Sequence, residues 1–499
     1  MPRKLKILLV VFFFAFFASF LIHPLFAINQ DLARHFKISQ VILDTGSVPK
    51  SNLFSYTNPD FQFVNTHWLG GVIFYLLSKI IGLKGLVIFT AGILLISFGI
   101  IFLLSYKKSQ DNFWLALWAG LWVVGIFIER TDARPEIFSY LFFAIFLLVL
   151  HYSISRPKWL LLLPILEVIW VNTHIYFFLG PVIFSFFLLE KIIEKRGLKK
   201  NKHLLLVGFS IFLATLANPN GLKGVLYPFR VFANYGYTIV ENQTVFFLLQ
   251  FSYHPYIIAL FFLAVAFLAV SFFLKGKKIS AFDILTAATL SFLGFYAVRN
   301  LSIFALGIMP IMVGNLTGPL NEAKEFIKLQ TGNAKSRAFE IIMFVIAFVI
   351  FSAGIYSNRK NISLYVEPRA KKAADFVIQN NISGNMFNNF DVGGYLINRF
   401  YPERKVFIDN RPEAYPAQFF KDVYIPMQED KEVWDRYSAK YDFNFIFFEH
   451  TDMTPWARKF LNIIANDKNW VAVYLDNNEV ILVKNSLNNE EIIEKYGRK

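Results

Sequence analysis

Long unbroken apolar runs dominate the first 357 positions of the chain. A helix needs about 20 apolar residues to cross a hydrocarbon core of roughly 30 Å. Eleven runs approach that length: Leu5–Ile28, Leu86–Ser105, Phe113–Ile128, Ile137–Tyr152, Trp159–Val171, Ile175–Leu189, Leu204–Ala217, Pro255–Leu274, Ala281–Val298, Leu301–Gly318 and Ala338–Tyr356. Several fall short of 20 residues, so tilt or local thinning of the bilayer is expected. The first run follows Arg3, Lys4 and Lys6, as the core of a signal peptide would. It is longer than such a core and further spans follow, so an uncleaved anchor is expected. From position 358 the pattern changes. Charged residues become frequent, Pro368–Gln379 predicts a helix, and Lys405–Ile408, Phe443–Phe448, Trp470–Tyr474 and Val480–Val483 predict short buried strands. The expected fold class is a polytopic α-helical membrane protein of about 11 transmembrane helices over residues 1–357, followed by a small α/β domain over 358–499.

His67–Gly82 is apolar but short, with Lys79 near its end. The excess of Lys and Arg on cytoplasmic loops decides its placement. If this run lies in the interface, the basic turns Lys107–Lys108, Arg156–Lys158, Lys191–Lys202, Lys275–Lys278 and Lys324–Arg337 all fall on the side of the N-terminus. Together with the N-terminus they carry 20 Lys and Arg. The reading that follows is a multi-pass protein of the cell membrane, N-terminus cytoplasmic and C-terminal domain extracytoplasmic. Residues 29–85 then form a large first outer loop containing an interfacial helix.

Composition agrees. The chain is 56% hydrophobic and 17% charged, with 59 Phe. An ordinary soluble domain is about 45–50% apolar and about 25% charged. A disordered chain is excluded, and a purely soluble enzyme fits poorly. Cysteine is absent, which removes disulfides, thiolate metal sites and Cys nucleophiles. The net charge of +15 suggests nucleic acid until it is located. The tail after residue 357 holds 20 Lys/Arg and 20 Asp/Glu, so the whole excess lies in the membrane part. It is a topology signal, and no nucleic-acid partner is expected.

Polar residues collect on the outer loops. Asp31 follows the first span directly, in Asp31-Leu-Ala-Arg34-His35. The first loop also carries Lys50 and His67. The second is Glu129-Arg130-Thr131-Asp132-Ala133-Arg134-Pro135-Glu136, the third Asn172-Thr-His174. The fourth includes Lys223 and Arg230, and Arg299-Asn300 separates two later spans. Each has an ordinary structural explanation. Asp31 suits a helix cap. Arg130 and Arg134 can pair with Asp132 and Glu136 in a solvated cluster. His35, His67 and His174 can be satisfied interface or turn residues. Glu167 lies inside an apolar run, where a carboxylate is costly, and a partner within the bundle is expected. Taken together, acids and cations on one face suit chemistry at the outer membrane surface. Cations there match the phosphate head of a lipid. A carboxylate nearby matches deprotonation of an incoming hydroxyl. Cytosolic nucleotide sugars do not reach that face, so a donor there is carried on lipid.

On these residues the chain resembles the GT-C type of membrane glycosyltransferase, polytopic enzymes that use polyprenyl-phosphate-linked sugars. It is similar to the bacterial branch that includes lipopolysaccharide and protein-mannosyl transferases. The resemblance rests on Asp31, the large first loop with its short interfacial helix, Arg134-Pro135, and the helices around Asn172-Thr-His174. It implies an inverting transfer from a polyprenyl-phosphate sugar donor to a glycan, lipid or protein acceptor. Asp31 matches the first-loop acid that acts as general base or orients the acceptor. Asp132, or Glu129, matches the second-loop acid. Arg134 and Arg130 match lipid-phosphate ligands, with His67, His174, Lys50, Lys223 and Arg299 as further candidates. The chain departs from the family at a lone Asp31 where a paired acidic motif is usual, and at Asn52 where an acid is common. A single carboxylate is a poor divalent-metal site, so no metal or other cofactor is assigned beyond the lipid-linked donor.

The tail resembles those of bacterial members at Phe390-Asp-Val-Gly-Gly-Tyr-Leu396 and Phe407-Ile-Asp-Asn-Arg-Pro412. Asp391-Val-Gly393-Gly394 reads either as an anion-binding helix start or as a tight turn, the turn being favoured. Asp409 and Arg411 read as acceptor-glycan ligands or as stabilisers of a loop. Two other functions compete. A transporter or flippase of lipid-linked glycan would also need basic residues near the bilayer, but such proteins often show repeated halves, and none is evident. A non-catalytic membrane scaffold leaves Asp31 and the second-loop cluster unexplained.

Overall fold

The computed structural model describes every residue except 1, 26–30, 111, 195–200, 231–234, 252–253, 277–278, 367–368 and 498–499. For 31, 324 and 326–337 it describes the backbone alone. Up to Phe400 the helices in chain order are α1 (Arg3–Leu21), α2 (Asp31–Thr45), α3 (Trp68–Lys108), α4 (Phe113–Phe127), α5 (Glu136–Ser153), α6 (Leu162–Thr173), α7 (Leu179–Glu194), α8 (Lys202–Thr215), α9 (Gly221–Val225), α10 (Val245–Leu249), α11 (Pro255–Lys275), α12 (Ala281–Tyr296), α13 (Leu301–Asn358), α14 (Lys371–Gln379) and α15 (Phe390–Phe400), with further short helices beyond, among them Lys431–Lys440 and Pro455–Ala465. Among the described residues, seven stretches are long and apolar enough to cross a membrane: Arg3–Leu21, Trp68–Lys108, Glu136–Ser153, Ile175–Glu194, Pro255–Lys275, Val298–Ala323 and Ala338–Asn358. Phe113–Phe127, Lys202–Thr215 and Ala281–Tyr296 are shorter apolar helices. The run expected at Trp159–Val171 is split between a 3-10 turn, Pro157–Leu161, and the 12-residue α6. The end of the expected first span, and parts of the basic turns at 191–202 and 275–278, lie outside the described residues.

The expected interfacial helix and the next span are continuous in α3, broken only at Gly82, where φ is 68° and ψ 177°. That backbone conformation is open to glycine and strained for other residues. The break also divides the chain. One compact unit is Met1–Pro24, Leu83–Pro228 and Ile239–Tyr365; the other is Leu25–Gly82, Phe229–Thr238 and Val366–Lys499. The unit that holds the sheet is thus assembled from three stretches of chain and includes the first-loop segment.

In the first unit, α13 packs on α1, α4, α11 and α12. Although helical from Leu301 to Asn358, α13 doubles back. Met309 and Phe13 both lie against Gly120, and Phe13 also meets Phe351, with ring centroids 5.2 Å apart. A straight helix would separate positions 309 and 351 by about 63 Å. The Thr317 hydroxyl donates to the Lys108 carbonyl at 3.2 Å, and Phe348 stacks on Phe12 at 4.9 Å. The reversal therefore lies between Thr317 and Phe348. Phe13, Phe17, Phe98, Phe102 and Phe351 interlock around α1. Without water to exclude, such van der Waals packing is what associates helices in lipid.

These contacts sort the loops of this unit into two ends. At one end Lys108 and Lys275 flank Asp283 at 3.5 and 3.6 Å, and Glu190 accepts hydrogen bonds from Ser280 and Phe282. At the other, His23 meets the Thr131 hydroxyl at 3.0 Å, Ser302 donates to the Phe127 carbonyl, and Tyr176 donates to Asn300 at 2.7 Å. Lys108 and Lys275 thus lie at one end of this unit and the acid-and-arginine loops at the other.

The second unit is built on a four-stranded sheet in the order β1-β2-β4-β3, with β1 (Asn385–Asn388), β2 (Phe443–Glu449), β3 (Trp470–Leu475) and β4 (Glu479–Lys484). β1 runs parallel to β2 and the other pairs are antiparallel. Phe445 and Phe447 join the cluster with α14 and α15, whereas Ile446 and Phe448 join Trp434 and Phe460. Alternation along a strand buried on both faces explains the continuous apolar run. Lys405–Ile408 is not a sheet strand, contrary to expectation. The Val406 N–H donates to the Phe54 carbonyl at 2.9 Å, and Tyr56 N–H donates to the Val406 carbonyl at 3.2 Å, so this segment pairs with the first-loop stretch instead. Glu449 lies directly opposite Glu479 across β2 and β4. Burial and the neighbouring Asp476 push the Glu479 carboxyl up to about 8.

Candidate functional site

The second-loop cluster is built at the end of the first unit where α4 stops and α5 starts. Pro135 fixes the approach, and Glu136 opens α5, where a carboxylate suits a helix N-terminus. Arg130 grips Glu136 with two parallel bonds, Nε to Oε1 and Nη2 to Oε2, both 2.8 Å. Glu136 is 2% exposed and Arg130 10%. This pair is buried, so the expected solvated cluster is corrected. Its energetic weight is that of a fork-to-fork, charge-assisted contact rather than a surface pair.

Two arginines of the second loop and Arg299 from another meet one further acid, Glu241, which no motif in the sequence singled out. Arg130 Nη1 donates to Glu241 Oε2, Arg134 Nη1 reaches the same oxygen at 2.8 Å, and Arg299 Nη2 lies 3.7 Å from Oε1. Burial raises the cost of ionising Glu241, but the charges of Arg130, Arg134 and Arg299 outweigh it and hold its carboxyl well below the usual range. Burial likewise opposes the charge on Arg130, and Glu136 and Glu241 overcome this and raise its pKa. Counting Glu136 and Asp132, whose carboxylate lies 3.8 Å from Arg134, three guanidiniums face three carboxylates. Arg299 also donates to Asn242 at 3.0 Å. Only a lone carboxylate in an otherwise neutral stretch, Tyr237-Thr-Ile-Val-Glu241-Asn-Gln-Thr244, marked this position in the sequence.

The other first-unit candidates surround this centre. Asp132 is 43% exposed, with Oδ2 3.8 Å from Arg134 Nε. Glu129 lies 3.5 Å from His254; burial raises its carboxyl, partly offset by His254 and Arg130. His174 caps the 3-10 turn Ile175–Phe178 and meets the Ser139 hydroxyl at 2.9 Å, which also accepts from the Trp170 indole at 2.8 Å. Its ring contacts Tyr176, and Tyr176 binds Asn300 beside Arg299. His174 is thus buried and engaged within the bundle. Lys223 is exposed on α9. Glu167 is fully buried, and neither carboxylate oxygen has a hydrogen-bond partner among the described residues. Gly180 makes its room, since a Cβ there would sit 2.1 Å from Oε2. The bundle partner expected for Glu167 is thus replaced by a glycine notch.

The remaining candidates belong to the second unit. Asp31 is the first residue of α2, and its side chain lies outside the described part. His67 contacts the Thr66 hydroxyl at 3.1 Å and stands 6.3 Å, ring to ring, from His35. Lys50 is exposed, and its carbonyl accepts from Phe63 N–H. Asn52 is fully buried, donating to the Ala414 carbonyl and accepting from Arg411 at 2.7 Å. Arg411 also forks onto Asp409 at 2.6 and 2.7 Å, between the rings of Phe54 and Phe63. Of the two readings of Asp409 and Arg411, the loop-stabilising one fits. Gly393 and Gly394 lie within α15, so the favoured tight turn is corrected. Gly393 permits close approach, because a Cβ would fall 2.2 Å from the Ile408 carbonyl oxygen. Among the described residues no three His, Asp or Glu side chains converge as a metal cage.

Apolar bundle, kinked first-loop helix, paired end loops and a four-stranded sheet define the class of fold, a polytopic helical membrane protein that also carries a small α/β unit. By sequence the chain matches no protein-family model and no curated protein. By structure it is similar to the oligosaccharyltransferase AglB from Archaeoglobus fulgidus in complex with an inhibitory peptide and a dolichol-phosphate. The TM-score is 0.61 at 11% identity, covering 97% of this chain and 74% of that one. It is also similar to ArnT from Cupriavidus metallidurans bound to undecaprenyl phosphate, with a TM-score of 0.53 at 12% identity, covering 96% of this chain and 97% of the other.

Proposed function

We infer that this chain is a membrane glycosyltransferase. It moves a sugar from a polyprenyl-phosphate-linked donor to an acceptor hydroxyl or amide at the outer face of the cell membrane, with inversion. The observation that carries the reading is the convergence of Arg130, Arg134 and Arg299 at one end of an apolar helical bundle. Guanidiniums at a bilayer boundary match a lipid phosphate in charge and in bidentate geometry. The fold shared with two proteins solved with polyprenyl-type phosphates adds support.

In the proposed reaction the acceptor attacks the anomeric carbon from the face opposite the leaving group. The bond from that carbon to the phosphate oxygen breaks, and the polyprenyl phosphate departs with the electron pair. Asp31 takes the acceptor proton as general base. Arg134 and Arg299 stabilise the charge that grows on the phosphate, with Arg130 held in place by Glu136. Asp132 and Glu129 orient the acceptor, and His174 positions the turn behind Arg299. The N-terminus is proposed to be cytoplasmic and the sheet unit extracytoplasmic.

Membranes containing the full chain, supplied with polyprenyl-phosphate sugars and an acceptor extract, test the reading. Transfer lost in Arg134→Gln at unchanged membrane abundance supports it; equal transfer refutes it. A cytoplasmic signal from a reporter fused after Ser357 would overturn the sidedness.

A further inference from the structure

The first unit contains a second built feature, at the end opposite the arginines. A cavity of about 220 Å³ lies among α3, α5, α7, α12 and α13. One part of its wall is apolar, formed by Leu104, Leu147, Leu150, Phe187 and Ile311. The other part is polar. The titratable groups facing it are Lys108, Lys191, His151, Glu190 and Asp283. Both acids are already engaged. Glu190 accepts from Ser280 and from the Phe282 N–H at 2.9 Å, and Asp283 sits between Lys108 and Lys275. At 3.5 and 3.6 Å these lysine contacts are loose, so each ammonium keeps donors to spare. Lys191 pairs outward with Glu194 at 2.6 Å. The Thr286 hydroxyl also faces the cavity; it is 1% exposed and has no hydrogen-bond partner among the described residues.

With Glu194 included, three lysines face three acids, so the polar wall is neutral overall; what it offers beside the apolar wall is the spare ammonium donors of Lys108 and Lys191 and the Thr286 hydroxyl. The ligand that matches is an amphiphile with a phosphate head. A volume near that of seven liquid waters holds such a head or a short chain segment, not a whole sugar-lipid. Basic pockets between transmembrane helices, at the level of the headgroups, commonly hold anionic phospholipid. We propose that this cavity binds one anionic phospholipid, its phosphate beside Lys108, Lys191 and Thr286 and the start of an acyl chain against Leu150 and Phe187. The site is separate from the arginine cluster and does not depend on glycosyl transfer.

The test uses the full chain, purified in detergent and stripped of lipid, then titrated with phosphatidylglycerol or phosphatidylcholine in mixed micelles while bound lipid is counted by native mass spectrometry. One phosphatidylglycerol per chain is expected, bound at least fivefold tighter than phosphatidylcholine. Lys108→Gln combined with Lys191→Gln should weaken it tenfold or more, and the near-isosteric Thr286→Val two- to fivefold. Equal binding of the two lipids, or unchanged binding in the variants, overturns the proposal. Glycerol 3-phosphate competing as tightly as the lipid also overturns it, since the site would then belong to a soluble phosphate. If the double variant does not purify as a single species, Thr286→Val decides alone.

Discussion

Glu241→Gln separates two roles of the arginine cluster. The substitution removes one negative charge from among Arg130, Arg134 and Arg299 and keeps shape and one acceptor oxygen. In the present arrangement the carboxylate holds the guanidiniums that the proposed reaction needs for phosphate. A unit charge about 6 Å away, at an effective dielectric of about 20, is worth about 2.8 kcal/mol. Glu241 is 28% exposed, so solvent screens part of this. Taking half leaves about 1.4 kcal/mol, or roughly a tenfold change in Kd. Expected, therefore, is about tenfold tighter binding of a short-chain polyprenyl phosphate, measured by isothermal titration in detergent. Thermal stability should fall at the same time, because two charge-assisted bonds to a partly buried acid are weakened. Arg299→Gln should shift binding by a similar factor in the opposite direction. Unchanged or weaker binding in Glu241→Gln would refute the idea that the carboxylate and the lipid phosphate compete for the same cations.

Other outcomes follow from the same structure. Asp31→Asn should lower transfer by roughly 10²–10⁴-fold, the usual contribution of a general base, with membrane abundance unchanged; full activity would remove Asp31 from the mechanism. Gly393→Ala should lower the unfolding midpoint, since overpacking costs about 1–3 kcal/mol; a gain from better helix propensity would show that the approach to Ile408 is slack. Glu479 binds its proton more tightly folded, near 8, than at its ordinary value of 4.5. Its contribution to stability is complete below about 4.5 and is lost as pH rises toward 8. Stability measured from pH 5 to 8 should fall with pH, and Glu479→Gln should flatten that slope.

Much of the architecture was legible because a lipid-facing helix has no substitute for a long apolar run. Phe113–Phe127 and α11 could hardly be anything else. The charge bias of the loops separated the Lys108, Lys191 and Lys275 end from the Arg130, Arg134 and Arg299 end for the same reason. What stayed hidden was set by pairings across long stretches of chain. Lys405–Ile408 has the composition of a sheet strand, but its partner is Phe54–Tyr56, some 350 positions away. Gly393 looked like a turn because sequence cannot show the Ile408 carbonyl that presses on it. Glu241 went unnoticed because its meaning comes from three arginines on other loops. Glu167 was expected to have a partner within the bundle, and the notch at Gly180 that makes its room is formed only where α6 packs against the start of α7 and the turn before it.

The doubling back of α13 bears on how the chain is made. Phe12 and Phe16 of the first helix find Phe348 and Phe351 as neighbours, and Asn358 closes onto the Ser19 carbonyl. At about 5–20 residues per second, the ribosome needs roughly 20–70 s to deliver that partner. Throughout that interval the aromatic face of the first helix must rest against lipid or an insertion factor. The seam between α1 and the end of α13 is thus late to shut, and damage there should show first as a failure of biogenesis rather than of chemistry.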